Sequence, residues 1–245
     1  MLYATAEYNC MHYKLFRDGQ LYTVQVLDDN EQVTGHCKGY AATGHLNGAQ
    51  IKVMALGAFS TEPEYRRLGM ARQCFSMLEQ AIEEDHCLIS YLHPFSFDYY
   101  RTMGYERVSD HRMLEFPIRT LEFLPRYSAL KRIRSTDDPR PIDEVYNRFA
   151  ENRNIMFRRE GSTATLAPRF IEAYMYPGQS FCYDCKNSHH YLSMDQNGQY
   201  DGYIALHKEM QAEHHYLFGT MYINALCFTS PEALRKLLGF VRMFD

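Results

Sequence analysis

No apolar run in the sequence approaches the roughly 20 residues a helix needs to cross a bilayer. The N-terminus also lacks the basic, apolar and small-residue order of a secretory leader, so a cytoplasmic location is expected. There is no surplus of positive charge: 26 Lys and Arg stand against 30 Asp and Glu, a net of −4. A nucleic-acid binder calls for the opposite balance, so none is expected as a partner, and cationic partners are mildly favoured. Nor do the cysteines suggest a disulfide scaffold. There are seven, an odd number scattered through apolar runs, and they read as reduced core thiols. Cys182-x-x-Cys185 has no second copy, and the residues after it, including His189 and His190, read as a strand. No metal site is expected there, nor at His214–His215. The remainder is ordinary globular usage, 46% hydrophobic and 23% charged over 245 residues, enough for one large or two small cores.

The most informative stretch runs from Ala58 to Tyr105. An extended apolar run, Ile51 to Phe59, enters the turn Thr61-Glu62-Pro63-Glu64-Tyr65-Arg66-Arg67-Leu68-Gly69. A helix leaves it, with Met70, Cys74, Met77, Leu78, Ala81 and Ile82 on one face at helical spacing. The first N–H groups of a helix have no partner inside it and the dipole is positive there, which suits an anion. Gly69 lets the main chain approach such an anion, and Arg66 and Arg67 add charge and forked donors. Pyrophosphate binding is the chemistry this favours. A short strand, Cys87 to Leu92, and the turn His93-Pro94-Phe95-Ser96-Phe97-Asp98-Tyr99-Tyr100-Arg101-Thr102-Met103-Gly104-Tyr105-Glu106 follow.

An Arg-x-x-Gly-x-Ala turn, a helix, a strand and a Tyr-Arg-x-x-Gly-Tyr-Glu turn, in that order, resemble the acetyl-CoA-binding core of the GNAT acetyltransferases. The wording Pro-Glu-Tyr-Arg-Arg, then Pro-Phe-Ser-x-x-Tyr-Tyr-Arg-x-x-Gly-Tyr-Glu, resembles the Eis-like (enhanced intracellular survival) branch. The resemblance implies an α/β (α+β) GNAT fold, a mixed and mostly antiparallel sheet flanked by helices. It also implies an acyltransferase that moves the acetyl group of acetyl-CoA to a primary amine without a metal. Phe59, Ser60 and Thr61 would then follow the pantetheine arm. Arg66, Arg67, Leu68, Gly69, Met70, Ala71 and Arg72 would hold the pyrophosphate, with Phe95 and Ser96 lining the other side. Tyr100 would be the general acid, since a phenol with a pKa of about 10 stays protonated at neutral pH. Tyr105 is expected to pack behind the turn. The base stays open between His93, a water chain and a group beyond this sequence. Amine acceptors such as aminoglycosides, polyamines or lysine side chains are compatible with the charge. A CoA-binding or assembly module without turnover is the alternative, and self-association is expected from the same resemblance.

The flanking chain is read more coarsely. Leu2 to Phe16 reads as a helix, with Tyr8, Met11, His12 and Leu15 on a stripe. Leu21–Leu27, Gln32–Ala42 and Ile51–Phe59 read as a strand meander, with Asn47-Gly48 as a hairpin turn. A strand at Arg112–Ile118 is expected to close a first, N-terminally short domain at residues 1–118. A connection to Pro141 and helices near Ile142–Phe149 and Pro168–Tyr176 open a second domain, 119–245. That domain repeats the layout with strands Tyr191–Met194, Tyr200–His207 and Tyr216–Cys227, and a helix capped by Ser230. Its turn, Phe228-Thr229-Ser230-Pro231-Glu232, has no glycine or arginine and is expected not to bind cofactor. The third, sterol-carrier-like domain of the Eis-like family is not in the sequence, so this domain reads as C-terminally cut short.

Overall fold

The computed structural model describes residues 1–110, 112–134, 136–159, 188–210 and 219–244. These fall into two compact units that part after Asp110. The expected helix at Pro168–Tyr176, Cys182, Cys185 and His214–His215 lie outside the described residues.

The first unit is one six-stranded sheet in sequence order: β1 (Leu2–Tyr8), β2 (Met11–Asp18), β3 (Leu21–Leu27), β4 (Val33–Leu46), β5 (Ala49–Thr61) and β6 (Ile89–Leu92). The first five strands pair antiparallel, and β5 pairs with β6 in parallel. A parallel pair needs a crossover, and α1 (Met70–Glu84) supplies it. Its stripe of Met70, Cys74, Met77, Leu78 and Ala81 is buried, together with Phe75. Beneath it lie Tyr13, Leu15, Tyr22, Val24, Val26, Cys37, Met54 and Leu56. The sheet has no room for a large residue at Gly39: a Cβ there would stand 2.9 Å from Met54 Sδ and 3.2 Å from Leu78 Cδ2.

The expected helix over Leu2–Phe16 is instead a β-hairpin, β1 and β2, turning at Asn9 and Cys10, both with positive φ (50° and 60°). The stripe at 8, 11, 12 and 15 is helical, but Met11, Tyr13 and Leu15 also alternate with polar neighbours. All three are buried, so period two won once β3 supplied a partner strand.

The second unit has a four-stranded antiparallel sheet in the order β10-β9-β8-β7: β7 (Lys131–Ile133), β8 (His189–Met194), β9 (Tyr200–Met210) and β10 (Gly219–Phe228). Alternation along β9 feeds two cores. Tyr203 and Ala205 pack with Ile142, Val145 and Tyr146 of α3 (Arg140–Ala150). Ile204 and Leu206 pack with Leu237 and Val241 of α4 (Pro231–Val241). The meander and both helices are therefore as expected. The strand expected at Arg112–Ile118 does not form: residues 112–117 have no regular structure, and Ile118–Leu121 is a 3₁₀ turn. The first unit thus closes at residue 110 rather than at 118. The expected connection to Pro141 also contains β7.

Candidate functional site

β6 ends opposite Leu56, while β5 continues to Thr61 along β4. Beyond Leu56 the edge of β5 that faced β6 has no strand beside it among the described residues, which leaves main-chain groups of residues 57–61 for a ligand. A β-bulge lies in this stretch. His36 pairs with Ser60 and Lys38 with Gly57, so Ala58 and Phe59 together oppose Cys37, and Ala58 has φ 53°. The extra residue shifts the phase of alternation. Met54 and Leu56 face α1, and strict alternation would turn Phe59 to the opposite face. The bulge returns it to the α1 side, 6.2 Å from Phe75 and 6.2 Å from Tyr100 between ring centres.

After β5 the chain makes a 3₁₀ turn at Pro63–Tyr65, then Arg66 is extended and Arg67 and Gly69 take φ 65° and 80°. Gly69 is the N-cap of α1, and no side chain caps it. The first N–H groups of a fifteen-residue helix thus lack a side-chain cap, and Arg67 and Leu68 beside them, with Arg72 in the first turn, are exposed. The turn is tied down at both ends. Glu62 N donates to Thr34 O (2.9 Å) and Tyr65 Oη to Asp28 Oδ2 (3.2 Å). Asn9 Nδ2 donates to Leu68 O (3.0 Å). Arg66 bends back, Nε donating to Thr61 O at 3.4 Å, so part of its fork is already used.

The other wall is α2 (Phe97–Arg101) and the residues before it. Ser96 caps this helix, its Oγ accepting from Tyr99 N (3.3 Å), so one lone pair of that hydroxyl is already committed. Tyr100 is 4% exposed and sits among rings: Phe95 and Tyr99 at 5.3 and 5.2 Å, Phe59 and Tyr105 at 6.2 and 6.4 Å. Burial, with smaller contributions from Tyr99 and Tyr105, pushes its phenol up to about 12. Burial also raises Tyr99, while the Arg72 charge acts the other way. Phe95, by contrast, is 75% exposed and presents an open aromatic face. Tyr105 packs behind the turn as expected, against Phe75 (5.3 Å) and with its hydroxyl 2.5 Å from Ser90 Oγ. His93 is exposed at the end of β6.

The fold thus gathers Phe59, Phe95 and Tyr100 in one ring cluster, and Arg66 through Arg72 around one helix mouth. Ser60 is exposed on the strand opposite His36, and Thr61 has its carbonyl engaged by Arg66. Sequence reasoning missed the β1–β2 hairpin tip, where Asn9 bonds the turn and the Tyr8 ring lies 3.3 Å from where a Cβ on Gly69 would stand. The turn-forming Asn9 between alternating runs was the available signal.

In the second unit the matching turn is closed. Ser230 Oγ accepts from Ala233 N (3.1 Å), and Pro231 opens α4. Where α1 begins with an uncapped glycine, α4 begins with a filled cap. His190 is buried with Nδ1 2.8 Å from Tyr203 Oη, and His189 Nδ1 lies 2.8 Å from Arg132 Nη2. Among the described residues no group of three or more His, Cys, Asp or Glu side chains is gathered for a metal.

Residues 13–108 match the acetyltransferase (GNAT) domain family, less than half of the 245 residues but nearly all of the first unit. No curated protein matches the chain. Solved structures that share the fold include the following three. A probable N-acyltransferase from Enterococcus faecalis is 21% identical with a TM-score of 0.64, over 91% of this chain and 52% of that one. A GCN5-related N-acetyltransferase from Anabaena variabilis is 18% identical with a TM-score of 0.67, over 90% and 52%. Eis1 from Mycobacterium abscessus is 15% identical with a TM-score of 0.63, over 94% and 55%. The chain therefore spans about half the length of these proteins. The family match thus covers nearly all of the first unit, whose mixed, helix-flanked sheet has the GNAT fold.

Proposed function

We propose that the chain is an N-acetyltransferase of the Eis-like kind, which transfers the acetyl group of acetyl-CoA to a primary amine. The observation that carries this reading is the pairing of two features on one strand–helix–strand unit. One is the uncapped mouth of α1 behind left-handed Gly69; the other is the freed edge of β5 beside the Phe59–Phe95–Tyr100 rings. A diphosphate fits the first and a thin polar chain such as pantetheine fits the second.

Acetyl-CoA supplies an activated acyl group as a thioester. Arg67, Leu68, Gly69, Met70, Ala71 and Arg72 hold its diphosphate, with the remaining donors of Arg66. Phe59, Ser60 and Thr61 follow the pantetheine arm, and Phe95 and Ser96 line the opposite side. Tyr100 is the proton donor to the departing sulfur: with its phenol held at about 12 it is protonated at any working pH. The ammonium first gives one proton to water or a nearby base. The free amine then forms the C–N bond, the C–S bond breaks as the Tyr100 proton goes to sulfur, and the second proton lost from nitrogen restores the phenol. The acceptor is an aminoglycoside, polyamine or lysine-type amine, which the net charge of −4 suits. No metal takes part. The second unit, with its filled helix cap, serves assembly rather than cofactor binding. The protein works in the cytoplasm as a homo-oligomer, away from membrane and nucleic acid.

A second reading is favoured by the deep burial of Tyr100, at 4% exposed: a CoA-binding module with little turnover. Calorimetry with acetyl-CoA, run beside thiol release over a panel of amines, separates the two. Binding with turnover supports the transferase. Binding without turnover on any amine selects the module, and no binding removes both.

A further inference from the structure

The tip of the β1–β2 hairpin lies 59 residues before the diphosphate turn in sequence, yet it bonds directly to that turn. Asn9 Nδ2 donates to the Leu68 carbonyl at 3.0 Å. Only the NH₂ side of the amide can serve a carbonyl, so the orientation of the side chain is settled by its partner. The Leu68 carbonyl and the Gly69 N–H belong to one planar trans peptide and point in opposite directions. Holding the carbonyl toward the hairpin therefore turns the Gly69 N–H away from it, and fixes the plane from which the first N–H groups of α1 follow. The Tyr8 ring adds a second seat, 3.3 Å from the position of a Cβ on Gly69. At its other end the turn is held by Tyr65 on Asp28 and by Glu62 on Thr34. The Asn9 bond falls between Arg67 and Gly69, the two residues of the turn with positive φ, where the backbone has the most freedom to flip.

We infer that Asn9 is a positioning residue of the cofactor site: it locks the Leu68–Gly69 peptide so that the mouth of α1 is preset for a diphosphate. This rests on the acetyl-CoA reading given above. It predicts an effect confined to ligands that carry the diphosphate, since the pantetheine arm runs along β5 instead.

The geometry of Asn9 provides a clean test. Its φ of 50° is one that glycine adopts without strain, so Asn9→Gly removes the amide and leaves the turn intact. Asn47 has the same φ in the β4–β5 turn, and Asn47→Gly is the matched control. Binding of CoA and of pantetheine to the full chain is measured by calorimetry, with a thermal melt of each variant. Loss of one hydrogen bond that presets the turn predicts a rise of about fivefold to tenfold in the CoA Kd for Asn9→Gly. Pantetheine affinity should not change, and Asn47→Gly should stay within about twofold for both ligands. Asn9→Asp, which sets a carboxylate against the carbonyl and near the diphosphate, should weaken CoA further than Asn9→Gly. If Asn9→Gly binds CoA within about twofold of the parent, or loses both ligands equally, Asn9 is an ordinary turn residue and the inference is overturned. If the parent itself fails to bind CoA, the acetyl-CoA reading falls and takes this inference with it.

Discussion

Gly69→Ala tests the cofactor mouth most directly. Gly69 has φ 80° and ψ 3°, a left-handed conformation that costs a residue with a Cβ about 1–2 kcal/mol. The added methyl would meet Tyr8 Cε1 at 3.3 Å and Oη at 3.4 Å. Tyr8 is 43% exposed and can give by a few tenths of an ångström, so the backbone cost dominates. The chain has two responses. It can keep the conformation and lose about 1–2 kcal/mol of stability, a drop of roughly 4–16 °C in the Tm of a unit that ends at Asp110. Or the substituted residue can relax toward the extended φ usual at an N-cap, which turns the first N–H groups of α1 off target. The second response costs CoA affinity, by about tenfold for ~1.4 kcal/mol. Gly19→Ala is the built-in reference: Gly19 has φ 57° and nothing within 4 Å of its would-be Cβ. Both variants should show a comparable loss of Tm or less, but only Gly69→Ala should weaken CoA in calorimetry. A Gly69→Ala protein with parental CoA affinity, or a Gly19→Ala protein that loses as much, would refute the assignment of this helix mouth.

Three further outcomes are expected. Tyr100→Phe should lower kcat by about 10²–10⁴ while leaving the acetyl-CoA KM within a few fold, and Tyr99→Phe should do little; because Tyr100 titrates at about 12, any loss of rate between about pH 7 and 10 should persist in its phenylalanine variant. In the second unit, Arg159 Nη1 stands 3.7 Å from Asp143 Oδ1 with both side chains buried and its guanidinium 3.8 Å over the Tyr146 ring, so Asp143→Ala removes one contact of a buried charge and should cost about 1–3 kcal/mol in urea unfolding, an unchanged stability counting against it. Burial, with smaller effects of His189 and Arg159, lowers His190 from 6.5 to about 4, so the unfolded chain takes up a proton that the folded one refuses. That contribution is fully present above pH 6.5 and lost as pH falls toward 4, by about 3 kcal/mol at 1.36 kcal/mol per unit. Urea midpoints should therefore fall less between about pH 7 and 4.5 in His190→Gln than in the parent, and equal slopes would show that another group carries the acid sensitivity.

The sequence by itself determined the elements whose signals are local. The α1 stripe, the Asn47-Gly48 turn, the Ser230 cap and the motifs flanking α1 are each set by a few adjacent residues, and each stands where expected. Gly69 likewise stands at the mouth of α1, where its lack of a Cβ permits the left-handed backbone found there. Only the tertiary structure decided the rest. The stripe at Tyr8, Met11, His12 and Leu15 fits a helix as well as Met11, Tyr13 and Leu15 fit a strand, and the choice waited on β3 as a partner. Tyr100, one of 20 tyrosines, acquires its raised phenol from burial among rings on β5 and ahead of α2. Phe59 reaches that cluster through a bulge that exists only in the register of β4 against β5. Asn9 meets Leu68 across 59 residues of chain, a contact no local pattern encodes, because hydrogen bonds of that span form only after the sheet has brought the two turns together.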